Sequence, residues 1–256
     1  MTPELLHIPY SPWSEKARWA LDARAITYRP VVYQPLLGEP GLRLRLKRWR
    51  GNVSVPVLFT ERGAIPDSAA IARWADGHGA GPTLFPAQAD AVITAWNALA
   101  ERGLDAGRAR SLARVLDRPG ALREMLPKKL APALGKVGLS IAKAGVRRTL
   151  AKYGATRADQ DGHRAELEAV LDELRAALAD GRRYLVPEHG FSFADIAMAQ
   201  VLGFVAPPAR GLRIGRNNRE AFHDPELAPR YADLVAWRDA LYEAHRPTSA
   251  TDRPAT

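Results

Sequence analysis

The stretch YSPWSEK, residues 10–16, is the part of the sequence that most strongly indicates the fold. It follows an apolar segment typical of a β-strand, residues 5–8, and it opens a helical pattern near Pro12. Serine followed by proline is common in the first turn of a helix, because serine caps free backbone N–H groups and proline needs no donor there. Ser11 is therefore predicted to cap a helix. A helix N-terminus carries partial positive charge, so this turn is also a candidate site for an anion such as a thiolate.

Composition limits the classes of protein that fit the chain. Its 256 residues, of which 46% are hydrophobic, suffice for one large domain or two smaller ones. The absence of cysteine excludes disulfides, thiolate metal sites and a thiol nucleophile of the protein's own. No apolar run approaches the ~18 residues of a membrane span, and the first residues do not resemble a signal peptide. We therefore expect a cytoplasmic protein.

The net charge of +9 is concentrated in one segment, residues 118–157. That segment holds ten basic residues and a single acid, Glu124, so the rest of the chain is balanced. Local basicity of this kind argues against general nucleic-acid binding. Two interpretations remain open. The segment is a solvated helix surface, or it is a wall over a binding pocket or an anionic membrane surface contact.

The first 80 residues have the pattern of a compact α/β unit. Strands are predicted at residues 4–8, 26–33 and 53–59, with a helix at 12–24 and a short helix at 42–50. A turn and a short partner strand follow, and Asp67 and Ser68 begin another helix. The predicted order of elements is βαβ-α-ββα.

A linker at residues 81–88 and an all-helical region at 89–246 are predicted next, followed by a disordered tail at 247–256. Ser192 and Asp195 have the spacing of a capping box. The helix after them, residues 196–205, is apolar on nearly every side, so it is predicted to be the buried centre of this region.

Four local features make the chain resemble a soluble glutathione S-transferase of the serine-type class with a Ser-Pro-x-Ser turn. They are residues 10–14 after the first strand, residues 55–58 in the third, residues 66–68 at a helix start, and residues 191–195 in the helical region. The resemblance spans most of the chain. It implies a thioredoxin-like N-terminal domain at residues 1–80 and an all-α domain for the acceptor substrate.

The resemblance implies that Ser11 is the catalytic residue. A free thiol has a pKa of ~8.5, and lowering it by ~2 units requires about 2.7 kcal/mol of thiolate stabilisation. A hydroxyl donating to the sulfur supplies ~1.5–3 kcal/mol, and the helix N-terminus adds to this. Ser14 is the second candidate for this role, whereas Tyr10 either reaches the pocket or packs. Trp13 either walls the site or faces the core.

The resemblance also implies a glutathione site formed by Ser11, Trp13, Ser14, Val55, Pro56, Asp67 and Ser68. The Val55–Pro56 bond is expected to be cis, with the Val55 backbone pairing with the cysteinyl part of glutathione. Asp67 and Ser68 would hold the γ-glutamyl group. Ser54 departs from the pattern, since many relatives have a basic residue there. The partner of the glycyl carboxylate stays open among Gln34, Arg43 and Arg45.

The hypothesis is a glutathione transferase that attacks a hydrophobic electrophile. Conjugation, isomerisation and thiolytic ether cleavage use the same thiolate and stay undecided. The alternatives are a non-catalytic binding protein of the same fold and an anion or membrane-surface binder acting through residues 118–157. The scattered histidines predict no metal site. The resemblance implies a homodimer.

Overall fold

The computed structural model describes residues 2–35, 37–127, 131–155 and 158–246. The N-terminal part contains the predicted order of elements. They are β1 (Glu4–His7), α1 (Pro12–Ala23), β2 (Arg29–Val32), α2 (Glu39–Leu46), β3 (Val57–Thr60), β4 (Gly63–Pro66) and α3 (Ser68–His78).

The four strands form one mixed sheet in the order β2-β1-β3-β4. β1 is parallel to β2, with Leu6 opposite Val31, and antiparallel to β3, with Leu6 opposite Val57. A parallel β1–β2 pair requires a crossover, which α1 provides. This arrangement, with α1 and α3 packed together, is a thioredoxin-like fold.

Two strands are shorter than predicted. The second covers only Arg29–Val32, and the third begins at Val57 rather than near residue 53. Proline has no backbone N–H to donate to a ladder, so pairing with β1 starts after Pro56. The Val55–Pro56 bond is cis, which confirms the expectation drawn from the resemblance.

The remaining part of the described chain is helical. A 3-10 turn, Ala87–Ala89, precedes the helices, and a second 3-10 turn covers Leu202–Phe204. The helices are α4 (Asp90–Leu116), α5 (Pro119–Glu124), α6 (Ala131–Lys152), α7 (Gln160–Ala177), α8 (Phe193–Val201), α9 (Arg216–Phe222), α10 (Leu227–Arg230) and α11 (Ala232–His245). The chain leaves helical geometry at Gly135 inside α6. The predicted disordered tail, residues 247–256, lies outside the described residues.

Helix α8 is the centre of the helical part, as its largely apolar sequence predicted. All nine of its residues are buried, and it packs against both α4 and α1. The predicted capping box is present: the Ser192 amide donates to Asp195 Oδ2 at 2.8 Å, and the Ser192 hydroxyl donates to the same oxygen at 3.0 Å. Within the described residues, none of the helices combines the length and apolar character needed to cross a membrane.

Candidate active site

One cavity of about 1030 Å³ lies between the sheet-bearing part and the helical part. Its first wall is the turn after β1 together with residues 53–56 and the start of α3. Its second wall is built by α4 and α6, with Phe204 and Phe222. Small-molecule sites usually occupy ~300–1,000 Å³, so the space suffices for a peptide-sized ligand and a second molecule beside it.

The structure brings six of the seven predicted site residues to this cavity. They are Ser11, Trp13, Val55, Pro56, Asp67 and Ser68. Ser14 lies outside the cavity lining and is fully buried, where its hydroxyl accepts the Ile8 amide at 3.0 Å. That hydrogen bond connects the start of α1 to the end of β1, so Ser14 stabilises the fold rather than lining the site.

Ser11 is at the N-cap position of α1, but its hydroxyl does not cap the helix. This corrects the expectation of a capping serine. Its backbone forms the turn instead, with the Ser11 amide donating to the Ile8 carbonyl and its carbonyl accepting the Glu15 amide. Among the described residues nothing hydrogen-bonds the Ser11 hydroxyl, which therefore remains available at the cavity wall. It lies where the partial positive charge of the helix N-terminus is largest.

Trp13 is a wall of the cavity and also a link between the two parts of the chain. Its indole N–H donates to Glu101 Oε2 on α4 at 2.6 Å. The buried Lys16 donates to the other oxygen of the same carboxylate at 2.5 Å. The Arg108 guanidinium lies 4.6 Å from the Trp13 ring. These contacts favour one orientation of the indole, because Glu101 binds its N–H and Arg108 lies over its ring.

The start of α3 presents two polar groups. Asp67 has a positive φ of 78° and caps α3, with its Oδ1 accepting the amides of Ala69 and Ala70. Ser68 is 1% exposed, and its hydroxyl has no partner within the described part of the chain. An unpaired buried hydroxyl is costly, which makes Ser68 a candidate partner for a bound ligand.

Tyr10 lines the cavity and also packs against the core of the helical part, so both alternatives apply to it. Burial raises the pKa of its phenol to about 12, because an apolar environment disfavours the charged form. The hydroxyl therefore keeps its proton at neutral pH. Tyr10 can donate a hydrogen bond but is not a general base there.

The basic segment contributes a wall of the cavity through α6, from Ile141 to Lys152, and through the next residue, Tyr153. Lys152 Nζ donates to the Val53 carbonyl at 2.5 Å. Arg148 Nη2 donates to Glu39 Oε2 at 3.0 Å, and Arg43 on α2 holds Oε1 of the same carboxylate at 2.8 Å. The basic segment is therefore more than a solvated helix surface, because part of it forms a wall of the cavity.

Of the three candidates for the glycyl carboxylate, only Arg43 lines the cavity. Arg45 instead bonds Glu4 at 2.5 Å and lies 3.6 Å from the Phe59 ring. Gln34 is absent from the lining.

Sequence reasoning missed several lining residues of the helical part. Arg108 stacks 3.6 Å from the Tyr153 ring and pairs with Asp105 at 2.6 Å. Burial lowers the pKa of Arg108. Nothing in the local sequence of α4 indicated this cluster. The only available signal was the unusual basicity of residues 118–157, which include Lys152 and Arg148.

A thioredoxin-like unit is joined to a helical part, and a cavity lies at the turn after β1 and at the cis-proline segment. This is the architecture of thioredoxin-fold proteins with a helical second domain. Family models agree. Residues 10–78 match the glutathione S-transferase N-terminal domain, and residues 74–240 match the glutathione S-transferase C-terminal domain. The chain belongs to the glutathione S-transferase family.

Similar solved structures span nearly the whole chain. A glutathione S-transferase of Methylobacillus flagellatus KT with GSH bound is 19% identical, covering 98% of this chain and 96% of that one at a TM-score of 0.61. Glutathione transferase GSTFuA2 of Phanerochaete chrysosporium is 18% identical, covering 97% and 100% at 0.66. The beta-etherase LigF of Sphingobium sp. strain SYK-6 is 17% identical, covering 94% and 95% at 0.63. No curated protein matches the chain.

Proposed function

We propose that the protein is a glutathione transferase in which the Ser11 hydroxyl stabilises the glutathione thiolate. One observation carries the proposal: Ser11 with its uncommitted hydroxyl, Val55, and Ser68 with its buried unpaired hydroxyl all belong to the lining of the same cavity. The Val55 backbone lies beyond the β1–β3 ladder, whose pairing begins at Val57. It is therefore available to a peptide ligand that extends the sheet edge.

In the proposed reaction, the thiol of glutathione loses its proton to solvent, and Ser11 donates its own proton in a hydrogen bond to the sulfur. Ser11 stays protonated throughout. The sulfur forms a bond to an electrophilic carbon, and the bond to the leaving group breaks with its electron pair. Trp13, Phe204 and Phe222 give the acceptor side of the cavity an aromatic surface, which favours a hydrophobic electrophile.

The γ-glutamyl group is assigned to the start of α3. Ser68 would donate its hydroxyl to the carboxylate, aided by the helix N-terminus. Asp67 uses only Oδ1 for the cap among the described residues, so Oδ2 is left to accept the ammonium. Both assignments come from the resemblance and agree with the position of these residues in the cavity lining.

Replacing Ser11 by alanine tests the catalytic assignment. We expect kcat/KM with glutathione and 1-chloro-2,4-dinitrobenzene to fall about 10- to 100-fold, since a hydrogen bond to a charged group contributes ~1.5–3 kcal/mol. The pKa of the bound thiol, followed by thiolate absorbance, should rise by about 1–2 units.

The control for this experiment is Ser140→Ala, the same change at an exposed serine of α6 that does not line the cavity. It should leave both quantities unchanged. Undiminished activity and an unshifted thiol pKa in Ser11→Ala would remove Ser11 from the mechanism.

A non-catalytic binding protein is the second candidate, motivated by Ser54, which has no charge where many relatives are basic. Calorimetry separates the two. Glutathione binding with turnover of an acceptor supports the transferase, whereas absence of detectable glutathione binding at millimolar ligand favours a non-catalytic binding protein of the same fold. The likeness to a beta-etherase motivates a β-aryl ether model compound as one acceptor, beside the chloroarene.

A further inference from the structure

Three cationic side chains meet at the part of the cavity bounded by α2 and α6. They are Arg43, Arg148 and Lys152, which we call the α2–α6 cation cluster. Both arginines share the single carboxylate of Glu39. The hydrogen bond from Arg43 holds the pKa of Glu39 below its usual value, so that carboxylate is charged. The cluster therefore carries three positive charges against one negative charge.

Lys152 is the member of the cluster without an acidic partner in the described part of the chain. Its half-buried ammonium donates to the Val53 carbonyl at 2.5 Å. A lysine ammonium has three N–H donors, so two of them remain for a ligand. The charged groups that act on Lys152 are Glu39 and three arginines, Arg43, Arg148 and Arg108. An anion beside Lys152 would relieve this excess of positive charge.

The position of Lys152 along the thiol site follows from its contact with Val53. Val53 is two residues before Val55, so their Cα atoms are at most ~7 Å apart. In an antiparallel pairing, a peptide whose cysteinyl residue lies opposite Val55 places its next residue opposite Ser54, with its terminal carboxylate towards Val53. Ser54, between them, lines the cavity but has no charge.

We propose that Lys152, supported by Arg148, binds the terminal carboxylate of the thiol peptide, so that the helical domain completes the glutathione site. This inference rests on the proposed function. In this protein, Lys152 would supply the positive charge that many family members carry at the position of Ser54, nearly a hundred residues earlier in the chain. It also makes the enzyme selective for thiols that have a free carboxylate at that end.

The test compares glutathione with its glycyl monoethyl ester, which lacks that negative charge. Binding is measured by calorimetry for the wild-type protein and for Lys152→Met. We expect the wild type to bind glutathione at least tenfold more tightly than the ester. Lys152→Met should lose this preference by weakening glutathione alone, with the ester affinity unchanged within twofold.

The matched control is Lys143→Met, which removes the same charge from α6 at a residue that does not line the cavity. It should keep the full preference. Lys152→Arg restores the charge, and it should recover at least half of the preference for glutathione over the ester on a logarithmic scale. Lys152→Gln provides the neutral variant if methionine prevents folding, as judged by circular dichroism.

Each outcome decides between interpretations. Equal affinities of the wild type for the two thiols, or a preference retained in both neutral variants, would overturn the inference while leaving the proposed function intact. Failure of the wild type to bind either thiol would overturn the proposed function, and this inference with it. An effect of Lys152→Met confined to carboxylate-bearing chloroarenes would assign the cluster to the acceptor instead, which also overturns the inference.

Discussion

The Ser68 hydroxyl illustrates what a single residue reveals about this protein. Ser68 is 1% exposed, and its hydroxyl has no hydrogen-bond partner among the described residues. The hydroxyl therefore contributes no hydrogen bond to the stability of the folded protein. A buried unpaired polar group calls for an explanation, and the proposed explanation is that bound glutathione supplies the missing partner.

Ser68→Ala should therefore weaken glutathione binding about tenfold while leaving the free energy of unfolding unchanged or raising it by up to about 1 kcal/mol. Ser192→Ala should behave in the opposite way. It removes a buried hydroxyl that does have a partner, Asp195, so it should cost about 1–2 kcal/mol without changing affinity. Calorimetry and urea denaturation measure the two quantities. Equal loss of stability in both variants would contradict this account.

The two serines of the opening stretch show how far residue-level reasoning reaches. The sequence placed both near a helix start, and it left Ser14 as a substitute for Ser11. The structure separates them, because Ser14 turns inward to the Ile8 amide and Ser11 lines the cavity. Which hydroxyl faces the ligand depends on side-chain rotation and on the position of β1, and neither is encoded in residue spacing.

At the scale of elements, α4 makes room for its neighbours through two glycines. A Cβ on Gly107 would lie 2.5 Å from the Phe204 ring, and one on Gly103 would lie 2.8 Å from Val201. Both glycines are buried in the middle of the helix, where glycine costs about 1 kcal/mol relative to alanine. That cost is offset by the close approach of α8 and of Phe204, which lines the cavity.

Gly107→Ala should lower the free energy of unfolding by about 1–3 kcal/mol, the usual cost of overpacking a core. Because Phe204 must move, acceptor KM should change while glutathione affinity stays the same. Gly77→Ala on α3, where an added Cβ meets nothing within 4 Å, should instead stabilise the protein by up to about 1 kcal/mol. Urea denaturation of both variants checks the signs, and stabilisation by Gly107→Ala would refute the packing argument.

The sequence predicted the order of the N-terminal elements and the buried α8, because hydrophobic periodicity and capping residues report local structure. It overestimated the second and third strands. Residues 26–28 are β-branched or aromatic, yet they lie outside the ladder, since only a partner strand decides where pairing begins and ends.

On the scale of the whole molecule, α1 joins the two parts of the chain. Trp19 on α1 packs in the large core of the helical part, whereas Ala17 and Leu21 pack beneath the sheet. The Arg246 guanidinium, just after α11, reaches back to the buried Glu15 at 2.7 Å. Burial opposes the charge of Glu15, but Arg18 and Arg246 outweigh it and lower the pKa of its carboxyl.

His7, at the end of β1, makes this junction sensitive to pH. It is 3% exposed, and burial together with the nearby Arg18 lowers its pKa to about 4. Arg213 also disfavours the protonated form, while Glu15 favours it. Because the unfolded chain binds the proton more readily, stability is complete above pH ~6.5 and is lost as the pH falls towards 4.

The loss due to His7 should be about 3 kcal/mol over this range, at 1.36 kcal/mol per pKa unit. His7→Leu should lack the loss of stability that protonation of His7 causes. The difference in unfolding free energy between the variant and the wild type should therefore change between pH 6.5 and pH 4 and be constant above pH 7. Urea denaturation at several pH values measures it. Parallel curves throughout the range would show that His7 does not titrate on unfolding.

The order of the N-terminal elements, the capped helix α8 and the motifs behind the family resemblance could all be predicted from the sequence, because they depend on neighbouring residues. Three features required the folded structure: Arg43 rather than Arg45 lines the cavity, Trp13 donates to Glu101, and Lys152 donates to the Val53 carbonyl. The last two contacts join residues 88 and 99 positions apart. Pairings at such separations are set by how the two parts of the chain pack, and no local pattern records them.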